Sequence, residues 1–105
     1  MRLTEAEASI ITTAIKTRFG SVARIILFGS RVDDAKRGGD IDLLVETVEG
    51  GKAAFLHMAE AKSDIQFALG DRKIDMVLAN PEGDAADLLD PRPIVRISRA
   101  TGIAL

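Results

Sequence analysis

Aspartate is scarce in β-strands because its short polar side chain competes for backbone hydrogen bonds. Three aspartates of this 105-residue chain nevertheless interrupt apolar, strand-like runs. Asp40 and Asp42 flank Ile41, and Asp75 lies between Ile74 and Met76. Strand side chains alternate faces, so Asp40 and Asp42 point one way while Ile41 and Leu43 point into the core. If the strand carrying Asp75 lies beside theirs, three carboxylates meet on one patch. Such groups repel one another strongly in a partly dry site unless a cation compensates them. Oxygen-only ligation selects hard ions, and Mg²⁺ takes a few carboxylates together with phosphate oxygens of a substrate. One or two Mg²⁺ are therefore expected on Asp40, Asp42 and Asp75. Two such ions about 4 Å apart would suit phosphoryl or nucleotidyl transfer, one at the attacking hydroxyl and one at the leaving pyrophosphate.

A second group stands where the first strand ends, at Phe28-Gly29-Ser30-Arg31. Glycine lets the backbone come close to a phosphate, and the Ser30 hydroxyl and following amides can donate to phosphate oxygens. Arg31 adds a charge-assisted contact. Asp40 follows ten residues after Ser30, enough chain for a loop that returns on the neighbouring strand. Taken singly these features are ordinary: Gly-Ser-Arg is a plain turn in most proteins, and Asp-x-Asp a solvated edge strand. In this order, each tied to a strand, they point to a nucleoside triphosphate bound beside metal.

The elements that must position these residues follow from pattern. Thr4 and Glu7 form a capping box, and Ala6, Ile10, Ile11, Ala14, Ile15 and Phe19 recur at helical spacing as far as Gly20. Ala23 to Phe28 reads as a buried strand, and residues 31–39 as a polar loop. Asp40 to Glu46 reads as a second strand. A helix is expected from about Lys52 to Leu69, with Phe55, Met58, Ala59, Ile65 and Leu69 facing inward. Lys73 to Ala79 is a third strand, residues 80–83 a turn, and Asp84 to Leu89 a short helical piece. Pro93 suits the first turn of a last helix to about Thr101, and residues 102–105 return as a small terminal strand. The order describes one α/β domain over residues 1–105, a small mixed β-sheet covered by helices.

Composition narrows the function classes. Hydrophobic residues make up 47% and charged residues 29%, and the net charge is −2, so we expect a soluble globular protein with no general attraction to nucleic acid. Four Phe and no Trp or Tyr offer no stacking platform for single strands. Cysteine is absent, which excludes disulfides and thiolate metal sites. The polar first residues do not resemble a signal peptide, and no apolar stretch approaches the ~20 residues of a membrane span. A cytoplasmic location is expected. Other polar residues suggest less. His57 is the only histidine and reads as a surface or boundary residue. Arg92, Arg96 and Arg99 read as a solvated helix face. Asp33, Asp34, Lys36 and Arg37 read as exposed loop residues, and Asp84, Asp87 and Asp90 as polar helix positions.

Phe28-Gly29-Ser30-Arg31, then Gly39-Asp40-Ile41-Asp42-Leu43, then Ile74-Asp75-Met76-Val77 resemble the minimal nucleotidyltransferase (MNT) proteins of the DNA polymerase beta-like nucleotidyltransferase superfamily. The resemblance covers nearly the whole chain and implies a nucleotidyltransferase-like fold. It implies that Gly29 and Ser30 contact the triphosphate, that Asp40 and Asp42 hold the metals, and that Asp75 assists the acceptor hydroxyl. Stand-alone members are commonly encoded beside a HEPN-domain protein, as the antitoxin of a toxin–antitoxin pair. Some transfer AMP from ATP to a tyrosine of the HEPN toxin, so ATP is the implied donor and a HEPN toxin the implied partner. The chain departs from its relatives in having Gly38-Gly39 where they often carry a serine or aspartate, and it lacks a terminal tyrosine. The short chain leaves little material for an acceptor pocket, so the acceptor is expected on another protein. A non-catalytic antitoxin acting by complex formation and a small-molecule nucleotidyltransferase are the alternative readings.

Overall fold

The first helix, α1 (Glu5–Phe19), begins where the sequence marks it. The Thr4 hydroxyl accepts from the Glu7 amide at 3.1 Å and the Glu7 carboxylate accepts from the Thr4 amide at 3.0 Å, satisfying two otherwise orphaned donors. Gly20, with φ 80°, closes it. In this computed structural model the described residues are 3–20, 22, 24–29 and 40–105. Three further helices follow α1: α2 (Gly51–Leu69), α3 (Ala85–Leu88) and α4 (Pro93–Thr101). The strands are β1 (Arg24–Phe28), β2 (Ile41–Glu46), β3 (Ile74–Ala79) and β4 (Ile103–Ala104). No helix among the described residues is long and apolar enough to cross a membrane.

The strands form one mixed sheet in the order β3-β2-β1-β4. β1 runs antiparallel to β2 and β4, while β2 and β3 run parallel. A parallel pair cannot be joined by a hairpin and needs a crossover, which α2 supplies. Alternation along the strands divides the core. Ile25, Leu27, Ile41, Leu43, Val45, Ile74 and Met76 pack with Ile11, Ile15 and Phe19 of α1 and Ala54, Ala61 and Ile65 of α2. The opposite face carries a smaller cluster of Ile26, Phe28, Leu44 and Ala79 beneath Val95 of α4. One sheet face is therefore layered by two long helices and the other by one short one.

The helix–helix layer is fixed by charge as well as packing. Arg18 of α1 donates to Asp64 of α2 at 2.7 and 3.0 Å and to Glu60 at 3.3 Å, and Arg72 donates to Glu7 at 2.9 Å. This phase differs from the sequence expectation for α2. Met58, Ile65 and Leu69 do face inward, but Phe55 and Ala59 are exposed and Ala54 and Ala61 are buried. Two apolar stripes compete on this helix. The stripe with small residues wins because it lets α1 and the sheet approach closely while Arg18 holds the acidic flank.

α4 is anchored through Glu46, the last residue of β2, whose side chain is only 3% exposed. Glu46 accepts a fork from Arg24 directly across in β1 (2.8 and 3.1 Å) and a third bond from Arg99 of α4 (2.7 Å). Arg99 also donates to Asp87 at 2.6 Å and to the Asn80 carbonyl at 2.7 Å. Arg92 bonds Asp90 and the Leu78 carbonyl, the latter at 2.7 Å. The expectation that Arg92, Arg96 and Arg99 form a solvated face holds for Arg96 and for Arg92, which is exposed although ion-paired, and fails for Arg99. Asp87 and Asp90 are ion-pair partners, not plain polar helix positions. One charged residue is needed at each inward position because the carboxylate it meets is already out of water. At the far end of α4, a Cβ on Gly102 would run into the Ile26 side chain and lie 2.8 Å from the Leu27 carbonyl, so only glycine lets β4 turn onto β1.

Removing one partner of a buried ion pair leaves an uncompensated charge and destabilises by about 3–5 kcal/mol. Glu46→Ala, which takes the most buried carboxylate from both Arg24 and Arg99 and leaves them Glu82 and Asp87, should therefore lower the urea midpoint more than Arg24→Ala, which leaves Glu46 its bond to Arg99. Asp87, which the Arg99 guanidinium holds below the usual carboxylate range, contributes stability that is present above the carboxylate's unfolded value and lost as pH falls through its lowered one. Asp87→Asn should accordingly flatten the acid limb of a stability–pH curve measured by urea unfolding.

Candidate active site

β2 and β3 are aligned so that Asp42 stands directly opposite Asp75. Ile41, Leu43 and Val45 are buried with α1 and α2, which turns Asp42 to the other face. Ile74 and Met76 do the same for Asp75. The hydrophobic alternation of the two strands thus forces two carboxylates together at the end of the sheet farthest from the Glu46 cluster. Asp40, exposed just before β2, is close enough to add its charge to Asp42.

Burial, the charges of Asp75 and Asp40, and a hydrogen bond with Asp75 push the Asp42 carboxyl above the usual carboxylate range, with only Lys73 pulling it down. Lys73 sits two residues before Asp75 on the same strand face, its Nζ 3.8 Å from the Asp75 carboxylate. Sequence reasoning missed this lysine, although the two-residue spacing that unites Asp40 and Asp42 applies equally to Lys73 and Asp75. At 3.8 Å and largely exposed, it offsets little of the repulsion.

On the other side of β2, Phe28 is aligned with Asp42, and Gly29 follows with φ 75°. A Cβ at Gly29 would collide with the Asp42 carboxylate. Glycine is thus required here twice, by backbone conformation and by the approach of the strand end to the carboxylate. Of the residues expected at the phosphate loop, Gly29 is placed against the acidic pair, and Ser30 and Arg31 lie outside the described residues. Asp33, Asp34, Lys36 and Arg37 lie outside them as well. His57 is held apart from the site: it bonds Glu49 at 2.8 Å and meets the Phe19 ring edge-on at 5.7 Å, as its boundary reading predicts.

The donor set fits a hard divalent cation. It is all oxygen, burial and the neighbouring carboxylates raise the Asp42 carboxyl above its usual range, and a glycine keeps space beside it. Among the described residues, no three carboxylate or imidazole groups close on a common point. The carboxylates form an open row, in which Asp42 and Asp75 are adjacent and Asp40 stands at the start. β3 is the edge of the sheet. The Lys73 and Ala79 carbonyls accept from β2, so Asp75 and Val77, two and four residues along, also turn their main chain to β2. Asp75 therefore projects beside an open strand edge, accessible from outside the chain.

The family model described as "Nucleotidyltransferase domain" matches residues 8–97, a span that includes Gly29, Asp40, Asp42, Lys73 and Asp75. No curated protein matches the chain as a relative.

Burial, and after it the charges of Asp75 and Asp40, favour the protonated form of Asp42 in the folded state. Its contribution to stability is complete below the unfolded carboxylate value and is lost as pH rises through the raised one. Without divalent cations, Asp42→Asn should melt a few degrees higher than the parent at neutral pH, and the gap should shrink as pH is lowered. Gly29→Ala should stay folded in circular dichroism and melt lower than the parent, because its Cβ would meet the Asp42 carboxylate.

Proposed function

This chain belongs to the nucleotidyltransferase domain family, and from that premise we propose that it transfers AMP from ATP, with Mg²⁺, to a tyrosine hydroxyl of a HEPN-domain toxin and thereby acts as an antitoxin. The observation that carries this reading is the pairing of Asp42 with Asp75 across β2 and β3 beside Gly29. Asp40 and Asp42 would hold the cation, with Asp75 completing its carboxylate set. When bound, Mg²⁺ supplies the positive charge that draws in the triphosphate and steadies the departing pyrophosphate.

The remaining roles fall to the chain itself. Gly29 brings the end of β1 close to the triphosphate without a side chain between them, and Ser30 and Arg31 follow it as the phosphate-binding residues. Asp75, on the edge strand, faces an acceptor hydroxyl arriving from another protein. It takes the hydroxyl proton as the oxygen attacks the α-phosphorus of ATP. The bond from that phosphorus to the bridging oxygen breaks, leaving AMP on the acceptor and releasing pyrophosphate. Asp75 can meet that hydroxyl because it stands on the edge strand with its side chain half exposed. The uncovered side of β3 supports a protein acceptor: the chain supplies donor-side carboxylates, and the described residues add only α3 and α4 on that face.

Incubation of the chain with a HEPN protein encoded beside it, ATP and Mg²⁺ should add the mass of one AMP to a tyrosine-containing peptide of that protein. Asp40→Asn/Asp42→Asn should lower the rate by at least about 10³-fold, as expected when the groups that bind catalytic metal are lost. ATP binding without modification of the partner would overturn protein AMP transfer. Neutralisation of the toxin by the double variant would favour action by complex formation.

A further inference from the structure

The outward side of α2 is as apolar as its buried side. Ala54, Ala61 and Ile65 face the core, yet Phe67 is 95% exposed, Phe55 67% and Leu56 58%. At 100° per residue, Leu56, Ala59, Ser63 and Phe67 fall on one solvent-facing stripe, with Phe55 on its flank. The acids of this helix are drawn away from the stripe, since Glu60 and Asp64 are both bonded to Arg18 of α1. Exposed apolar side chains grouped in this way mark an interaction surface more than isolated ones do.

We propose that this stripe packs against the same stripe of a second copy of the chain, with the two α2 helices antiparallel. The stripe complements itself when read in reverse. Leu56 and Phe67 are equidistant from the helical level of Ala61 and Lys62. Lys52 and Asp71 are equidistant from it as well, and Ala59 and Ser63 are so to within one residue. A two-fold axis at that level lays each Phe67 over Leu56 of the second copy and sets Ala59 against its Ser63. It also brings Lys52, at the start of the helix, to the second copy's Asp71, just past its end. Small residues at the centre let the helices approach closely, and the large side chains fill the space on either side. A helix of an unrelated protein would have to supply this same order of sizes and charges, whereas a second copy carries it already. The pairing needs nothing from the nucleotidyltransferase site, which lies on the opposite face of the sheet.

The interface is small. One α2 face with two phenylalanines, each burying about 150–250 Å², falls short of the ~800 Å² per partner of a standard stable interface. The dimer is thus reversible, with a dissociation constant on the order of 1–100 μM. Sedimentation equilibrium and light scattering of the full chain, across concentrations spanning that range, test it. Phe67→Ala and Leu56→Ala should each weaken self-association at least about tenfold while leaving the melting temperature of the monomer unchanged, because both side chains lie outside the core. Lys52→Asp should weaken it severalfold, and Lys52→Asp combined with Asp71→Lys should restore it. A chain that stays monomeric throughout overturns the proposal. So does a dimer indifferent to all of these changes, or a monomer whose exposed stripe is needed only to bind a helical partner protein.

Discussion

The alignment of β2 with β3 sets most of what this chain can do. A parallel pair in which Ile41 meets Ile74, and Leu43 meets Met76, has only one register that buries all four under α1 and α2. That register leaves Asp42 and Asp75 no choice but to face each other on the other side. A slip of either strand by one residue would send its carboxylate into the larger core and expose its buried apolar side chains, so the repulsion between Asp42 and Asp75 is held in place by hydrophobic burial many times larger. The acidic pair is an imposed arrangement, which the strands maintain whether or not a cation is present.

The same face of β2 carries a second carboxylate whose treatment clarifies the first. Glu46 lies four residues beyond Asp42 and projects from the same side of the strand. Its desolvation is offset inside the fold by Arg24 and Arg99, which together give it three hydrogen bonds. Asp42 receives the reverse: the groups that act on it are two further carboxylates and one lysine that approaches only their edge. A fold able to assemble two guanidiniums around Glu46 gives Asp42 no such pair among the described residues. The internally neutralised carboxylate fastens α4 to the sheet, and the uncompensated one has its charge available for something that arrives from outside.

The sequence carries this contrast only in part. Alternation made Asp40, Asp42 and Asp75 visible because aspartate among Ile, Leu and Val violates strand preference. The capping box, the mixed sheet and Gly29 at the end of β1 were legible for similarly local reasons. Glu46 was not, because a charged residue at the end of a strand looks like a solvent-facing terminus until Arg24 is known to stand across from it. Arg99 was misread for the same cause: its partners are 53 and 12 residues away. The phase of α2 failed differently. With Phe55, Leu56 and Phe67 on one side and Ile65 and Leu69 on the other, helical periodicity has two solutions, and the choice between them is made by the space available beneath α1.

That second apolar stripe bears on how the two faces of the sheet divide their work. The face under α1 and α2 holds the larger core, and its outer boundary is the Phe67 side of α2. Among the described residues, the opposite face is covered at the Glu46 end, where α4 is clamped. An association through α2 therefore makes no contact with the acidic pair, which lies on the other face of the sheet. A carboxylate pair on a sheet only three or four strands wide needs a rigid platform, since a displacement of about 1 Å from productive geometry costs a large part of the rate. Two long helices on the back of the sheet supply that rigidity, and on the front the short α4 is fastened to the sheet at its Glu46 end.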